Sequence, residues 1–162
     1  MANDGGMIAR IEQAMADKLI TLQHNAGDVF KTAEPWNYQI SAGEGGIEAF
    51  GKYSESNKAF AFPRYMPPTS SSREGDGDLK QVLRFGVLIG KESKEKGVAR
   101  IGSETKIGIS KIRDLVIAAL DNWHPGEGFV CDDFHYITDE VEVDTPTRYA
   151  LILYFEANLI NN

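Results

Sequence analysis

The sequence predicts an α+β fold: a single domain in which a mostly antiparallel sheet of four to five strands is packed by an N-terminal helix and a central helix. Three observations support this prediction. Residues 109–123 carry apolar side chains at the spacing of an amphipathic helix. Residues 82–89 and 149–155 are apolar at both alternating positions, as in strands buried on both faces. Residues 6–24 repeat the helical spacing near the N-terminus.

The central helix is the element around which the other segments are expected to pack. Its apolar stripe consists of Ile112, Leu115, Val116, Ala119, Leu120 and Trp123. Ser110 can cap the first turn. Pro125, which follows the helical segment, is expected to end the helix, because proline cannot continue the hydrogen-bond ladder. This helix predicts one covered sheet face. The N-terminal helix is expected to cover the opposite face.

Shorter elements fill the remainder of the chain. Residues 29–32 and 58–65 have the pattern of strands, and Pro63 is expected to interrupt the second of them. Residues 47–53 suggest a short helix. Residues 129–144 are expected to be extended and to lead through a turn into the final strand. The sequence has no internal repeat.

Length and composition favour one domain spanning residues 1–162. With 42% hydrophobic and 25% charged residues, the chain has the composition of a globular protein. We expect residues 1–6 to form a flexible lead, and residues 66–78 and 91–97 to form long polar loops. Such loops are either solvated connections or partner contacts, and the sequence leaves both interpretations open.

Charge and cysteine content narrow the possible functions. A net charge of −7 and a pI near 5.0 argue against nucleic-acid binding, which depends on clustered Lys and Arg. The single cysteine, Cys131, excludes an internal disulfide and fits a reducing cytoplasm. We expect no signal peptide and no membrane contact, because the longest apolar run, residues 149–155, is too short to span a bilayer.

Two glycine-containing segments bear on nucleotide binding. Residues 86–92 faintly resemble a phosphate-binding loop, which has four residues between its glycines and Ser or Thr after the lysine. Here three residues separate Gly86 from Gly90, and Glu92 follows Lys91. Residues 43–46 are glycine-rich and have the composition of a flexible joint. The sequence therefore predicts no cofactor site.

A second group of residues could bind a metal ion or form a Cys/His catalytic pair. It comprises His124, Cys131, Asp132, Asp133 and His135. Zinc sites use paired Cys or His at fixed spacing, and that spacing is missing here. The carboxylates that could supply an acid and a base are Asp132, Asp133, Asp139, Glu140, Glu142 and Asp144. Their alternation with apolar residues indicates a solvent face, so we predict no catalytic and no metal-binding residues.

The order of these elements resembles the small tail proteins of Mu-like phages and prophages. Residues 7–14, the strand at 83–89, the helix at 112–120 and the closing strand pair within 134–155 carry the resemblance. Those proteins are in turn similar to the tail terminators of long-tailed phages, which are compact α/β proteins that form a sixfold ring on the tail tube. The serine-rich residues 67–78 depart from this pattern, and the family supplies no catalytic residues.

The resemblance implies a structural virion protein of the phage tail or neck, assembled in the host bacterial cytoplasm. It implies a homo-oligomer, a hexameric ring, that caps the head-proximal end of the tube and stops tube or sheath polymerisation. Its partners would be the tail tube protein, the sheath protein where one exists, and the head–tail connector protein, while genome DNA only passes through the channel. The alternatives are another neck or tail-completion protein and a small enzyme or ligand-binding domain. A closed pocket containing a titratable pair would favour the enzyme.

Overall fold

The chain folds around a five-stranded sheet, which helices cover on both faces. The computed structural model describes residues 6–37, 46–55, 57–67, 72–74 and 78–160. In chain order the elements are α1 (Gly6–Ile20), β1 (Gln23–His24), β2 (Gly27–Asp28), β3 (Phe30–Ala33), α2 (Gly46–Tyr53), β4 (Ala59–Tyr65), β5 (Ser72–Glu74), β6 (Asp78–Lys80), β7 (Val82–Glu92), α3 (Val98–Ile101), α4 (Ile109–Leu120), β8 (His135–Asp144) and β9 (Arg148–Asn158). The predicted α+β single domain is confirmed.

The sheet has the strand order β3-β4-β7-β9-β8. Its neighbouring strands are antiparallel except for the parallel pair β3 and β4. At its centre β7 and β9, each of 11 residues, pair over their whole length, from Val82 with Asn158 to Glu92 with Arg148. Two short antiparallel ladders, β1 with β2 and β5 with β6, lie outside this sheet. The mostly antiparallel sheet of up to five strands agrees with the prediction.

Both long helices lie on the same face of the sheet, with α1 over β3 and β4, and α4 over β7 and β9. The expectation that α1 covers the face opposite to α4 is therefore wrong. A sheet of five strands is about 19 Å wide, and packed helices are about 8–10 Å apart, so one helix leaves much of the face exposed. The fully buried residues that the two helices contribute are Ile11, Met15, Ala16, Leu19, Ile109, Ile112, Val116 and Leu120.

The opposite face is packed by α2, the predicted short helix. Its Phe50 is buried with Phe60 and Phe62 of β4, and the centroids of the Phe50 and Phe60 rings are 5.2 Å apart. Leu88 of β7 and Ile152 of β9 complete this smaller core. The alternation along β9 is as predicted, because Leu151 and Leu153 pack with α1 and α4 whereas Ile152 packs on the α2 side.

The central helix begins and ends at residues other than those expected. Gly108 occupies the N-cap position, and Ser110 lies inside the first turn. The helix ends at Leu120, and Asn122 then takes a left-handed conformation with φ of 61°. Asparagine tolerates this conformation better than most residues, so the chain leaves the helix before Pro125 is reached.

Strand β4 continues through Pro63, contrary to the predicted interruption. The carbonyl oxygen of Pro63 accepts a hydrogen bond from the Trp36 amide at 2.9 Å. In a parallel pair the amide and the carbonyl of one residue point toward the same neighbour. The missing amide therefore falls beyond the end of β3 at Ala33, where it interrupts no strand ladder.

Other expected boundaries also shift. The first helix ends at Ile20 instead of residue 24, and the last predicted extended segment becomes a strand only from His135. Strand β7 continues to Glu92, so the loop predicted at 91–97 is shorter and its first two residues are part of the sheet. The predicted loop 66–78 contains β5 and the start of β6.

Parts of some predictions lie outside the described residues. They are residues 1–5 of the predicted lead, 43–45 of the glycine-rich joint, and 68–71 and 75–77 of the serine-rich loop. Gly46, the last residue of the joint, begins α2.

The α4 core contact can be tested with Leu120→Ala. Leu120 is 0% exposed, so this variant leaves a cavity beneath the helix and should lower the free energy of unfolding by about 2–5 kcal/mol. Urea denaturation monitored by circular dichroism measures the change. Ile101→Ala is the control, because Ile101 is 72% exposed and its loss should change stability by less than about 0.5 kcal/mol. Equal effects of the two variants would contradict the assigned helix packing.

Candidate functional site

The His124 ring contacts the main-chain carbonyl of Cys131 and not its thiol. The Nε2 atom of His124 lies 2.9 Å from the Cys131 carbonyl oxygen, and the amide of Gly126 donates to Nδ1 at 2.9 Å. Because Nδ1 accepts a hydrogen bond, the proton of the neutral ring is on Nε2 and is donated to the carbonyl. His124 thus holds the ends of the 124–131 loop together and does not activate the thiol.

The Cys131 thiol is in a poor environment for nucleophilic chemistry. Its side chain is 2% exposed, and burial raises the pKa of the thiol, with Asp132 and Asp133 acting in the same direction. A raised pKa reduces the fraction of reactive thiolate at neutral pH. The sequence-based interpretation of a buried thiol beside an acidic strand agrees with this geometry.

The remaining metal-ligand candidates are used elsewhere. Asp132 accepts hydrogen bonds from Asn158, at 2.6 Å from the amide and 3.0 Å from Nδ2, and so ties its segment to the end of β9. His135 lies 3.8 Å from Asp121, with both side chains substantially exposed. In the part of the chain that the structure describes, no three or more His, Cys, Asp or Glu residues are grouped to hold a metal ion.

Asp139, a carboxylate of β8, is part of a structural network with α4. Asp139 accepts hydrogen bonds from the Tyr136 hydroxyl at 2.6 Å and from Arg113 Nε at 2.5 Å. Burial acts to raise the pKa of Asp139, but the hydrogen bonds from Tyr136 and Arg113 outweigh it and lower the pKa. The carboxylate is held ionised, so it fastens β8 to α4 and is unsuited to act as a general acid.

Glu140 and Tyr154 form a second contact between neighbouring strands. The Tyr154 hydroxyl donates to the Glu140 carboxylate, and burial together with that carboxylate raises the pKa of Tyr154 to about 12. The phenol therefore keeps its proton throughout the neutral range. Glu142 and Asp144 are exposed, as the predicted solvent face requires.

Gly86 and Gly90, the glycines of the segment that resembles a phosphate-binding loop, leave room for side chains that pack against β7. A Cβ atom on Gly90 would lie 2.3 Å from the Phe60 ring, and one on Gly86 would lie 2.7 Å from Met66 Sδ. Glycine at these two positions lets the side chains of the α2-side core lie flat against the strand. This confirms that residues 86–90 belong to a strand and do not form a phosphate-binding loop.

Two clefts open at the end of the sheet where β4 begins and β7 ends. The larger has a volume of about 440 Å³ and is lined by the 24–29 hairpin, by Asn57 and Lys58, and by the loop and first turn around α4 from Ile101 to Lys111. The smaller, about 410 Å³, lies between the end of α2 and residues 92–95. The larger cleft is within the size range of ligand sites, but its walls are rich in amide, hydroxyl and lysine groups, whereas ligand pockets are mostly apolar.

The sequence analysis missed one buried charged residue, Lys91. It is 0% exposed and its Nζ atom donates a hydrogen bond to the Ile107 carbonyl, which fastens the loop before α4 to the sheet. Burial, with a smaller contribution from the charge of Lys106, lowers the pKa of Lys91 to about 8. The burial of Lys91 could have been predicted from the sequence, because Lys91 continues the alternation of Phe85, Val87 and Ile89 on the face that α4 covers.

Lys91 predicts a specific dependence of stability on pH. The ammonium has an ordinary pKa of 10.5, and folding lowers it to about 8. Between these values the unfolded chain binds more protons than the folded one, so the free energy of unfolding rises with pH across this window. Below pH 8 the cost of burying the charge is fully present. Between pH 8 and 10.5 the free energy of unfolding of the wild-type protein should therefore rise by up to about 3 kcal/mol relative to that of Lys91→Met, because one pKa unit is worth about 1.4 kcal/mol.

Chemical denaturation at several pH values from 7 to 11 measures this difference between the wild-type protein and Lys91→Met. Lys94→Met is the matched control, since it removes an exposed lysine charge from the adjacent connection. Parallel stability curves for the wild-type protein and Lys91→Met would show that Lys91 does not change its protonation on folding.

The acidic residues are concentrated in the segment that follows α4 and ends in β8, and four of them lie in β8 itself. Residues 121–144 contain eight Asp and Glu residues and no Lys or Arg, which leaves 16 acidic and 17 basic residues in the rest of the chain. This segment therefore accounts for the whole net charge of −7. It ends in β8, an outer strand of the sheet, in which seven of the ten residues are exposed.

The pairing of β8 with β9 contains two irregularities. The register shifts between Tyr136 and Thr138 and again between Val141 and Val143, which leaves Ile137 and Glu142 outside the ladder. Extra residues of this kind are β-bulges, which bend a strand and redirect side chains. Ile137 is 46% exposed and Val141 is 54% exposed, so this edge presents apolar as well as acidic groups to solvent.

No protein-family model matches this sequence, and no curated protein matches it. Within the described residues, no helix is both long enough and apolar enough to cross a membrane. The function is therefore inferred from the fold, the hydrogen-bonded roles of the polar residues and the distribution of charge on the surface.

Proposed function

We propose that this chain is a structural protein of a phage tail, the tail terminator that forms a ring on the head-proximal end of the tail tube. The observation that carries the proposal is the fold. A mostly antiparallel sheet with α1 and α4 side by side on one face agrees with the compact α/β architecture that the resemblance to Mu-like tail proteins implies. The ring stops tube and sheath polymerisation and offers a surface to the head–tail connector protein.

The roles of the polar residues support a non-catalytic function. His124 closes a loop, Asp132 binds the end of β9, and Asp139 fastens β8 to α4. The thiol of Cys131 is buried, and the ring nitrogens of His124 are both engaged with main-chain groups. A nucleophile and a base therefore do not come together at the residues that the sequence singled out.

The charge of the chain also suits a ring through which DNA passes. A net charge of −7 per subunit gives the assembled ring a negative potential. Phosphate groups are repelled by such a surface, because tight binding of DNA depends on Lys and Arg that displace counterions. DNA can thus move through the ring without being held by it.

Phage that lack this chain should lose control of tail length. Particles made without it should carry tails of irregular and excessive length that are not joined to heads, because the growing tube has no cap. Electron microscopy of lysates measures tail length and head attachment, and supplying the wild-type chain in trans should restore both. Tails of normal length that fail only to join heads would favour the alternative neck or completion protein.

In the mature particle, a reconstruction of the tail should contain a single ring of six copies at the head-proximal end. A chain repeated along the tube, or one absent from the tail, would contradict the terminator assignment. The number of copies in the ring is read directly from its rotational symmetry.

The non-catalytic role predicts that the double variant Cys131→Ala, His135→Ala assembles normal tails. Cys131 is buried without a described side-chain hydrogen bond, and His135 is largely exposed, so neither change removes a structural contact of the α4 network. Infectious titre measures function, and circular dichroism of the purified variant monitors folding. A folded variant that gives no infectious particles would reveal a chemical role for one of these residues.

A further inference from the structure

We propose that copies of this chain dock head to tail, with the acidic edge of one copy seated on the lysine cleft of the next. The acidic edge is the exposed surface of β8, with Ile137, Val141, Glu142 and Asp144. The lysine cleft is the 440 Å³ cleft at the start of α4, with Lys58, Lys106, Lys111 and Ile101 in its wall. The inference deepens the proposed function by naming the contact that the ring uses, and it is tested separately on the purified chain.

The two surfaces are formed by different elements, and the part of the cleft that precedes β3 and β4 lies across the sheet from β8. β8 is the outer strand on one side, whereas the lysine cleft is lined by Asp28 and Val29 before β3, the outer strand on the other side, and by Lys58 before β4. Five strands place β3 about 19 Å from β8, whereas the wall with Lys106 and Lys111 lies nearer, because α4 contacts β8 through Arg113 and Asp139. One copy can therefore use both surfaces at the same time, which is the condition for a heterologous contact that repeats and closes into a ring.

The charges on the two surfaces are complementary and have weak partners within the chain. Glu142 and Asp144 on the acidic edge, and Lys111 at the cleft, are exposed and have no ion-pair partner among the described residues. Lys106 lies 3.3 Å from Glu95, and Lys58 lies 3.9 Å from Asp28, but the carboxylate of each pair is exposed and the lysines are partly open to solvent. Exposed pairs contribute little stability, so both lysines can take new partners at small cost.

The cleft also contains carboxylates, but its net charge still favours an acidic occupant. Its wall carries Asp28 and Glu104 besides the three lysines, together with His24. The wall is thus positive by one charge in a chain whose overall charge is −7. An edge strand with four acidic residues and no lysine or arginine is attracted most strongly to a part of the next copy where lysines outnumber acids.

Exposed apolar side chains on both surfaces provide a dry centre for the contact. Ile137 and Val141 lie on the acidic edge, and Ile101, which is 72% exposed, lies in the wall of the cleft. Isolated exposed aliphatic residues are ordinary on protein surfaces. These lie within the two regions of opposite charge, and an apolar core inside a polar rim is the common composition of a specific interface.

The contact is made by side chains and not by addition of a strand. The two bulges in β8 break the regular spacing of backbone groups that a partner strand would need, and acidic side chains flank the remaining ladder positions. An interface that depends on exposed charges is weakened by salt, since the Debye length falls to about 10 Å at 0.1 M. Docking should therefore be strongest at low ionic strength.

Zero-length cross-linking tests which surfaces meet. Unlabelled and ¹⁵N-labelled copies of the full chain are mixed, treated with a carbodiimide that joins carboxylates directly to amines, and digested for mass spectrometry. Peptides that pair one labelled with one unlabelled partner come from two copies. The expected links join Glu142 or Asp144 to Lys58, Lys106 or Lys111. Links between copies only at other surfaces, or no links between copies at the highest soluble concentration, would overturn the inference.

Charge reversal tests the energetic role of the same residues. In sedimentation at low salt, Glu142→Lys and Lys111→Glu should each weaken self-association about tenfold or more, because each places like charges opposite one another. The double variant Glu142→Lys, Lys111→Glu should recover much of the lost affinity. Asp17→Lys and Lys18→Glu, which make the same charge changes on the exposed side of α1, are the controls. Single variants that associate like the wild-type protein, or controls that weaken association equally, would overturn the inference.

The two proposals fail in distinguishable ways. A ring at the head-proximal end of the tail, together with charge reversals that leave association unchanged, would retain the terminator function and refute this docking contact. Cross-links between the two surfaces in a chain that is absent from tails would retain the docking contact and refute the terminator function.

Discussion

The pairing of β7 with β9 is the constraint on which the rest of the fold depends. These 11-residue strands are apolar on both faces, so neither face can be left in water without a large loss of buried apolar area. One face takes α1 and α4, and the other takes α2. Gly86 and Gly90 belong to the same constraint, because a Cβ on Gly90 would clash with the Phe60 ring and one on Gly86 would force the Met66 side chain to move.

The main elements of the fold could be predicted from periodicity, whereas the arrangement of the layers could not. The spacing of Ile112, Val116 and Leu120 identifies the buried side of α4, and the alternation along β9 identifies two buried strand faces. A helical stripe does not say which face of a sheet it meets. The placement of α1 beside α4 follows from the width of a five-stranded sheet, and that width depends on the addition of β3 to β4.

The same limit explains what sequence reasoning missed about the surface. The excess of acids between 121 and 144 is visible in the sequence, but the position of its second half at an outer edge depends on the strand order β7-β9-β8. The lysine cleft brings together Lys58 and Lys111, which are far apart in sequence. Lys91 begins the polar run that predicts a loop at 91–97, although its place in the alternation of β7 puts it inside the protein.

The buried position of Cys131 determines how the chain responds to oxidation. It is the only cysteine, and its side chain is 2% exposed with a raised pKa, so oxidants and other thiols meet neither an accessible sulfur nor much thiolate. Two folded copies therefore cannot be joined by a disulfide. A disulfide between two copies would first require local unfolding that exposes Cys131, so association of the folded copies is expected to be non-covalent.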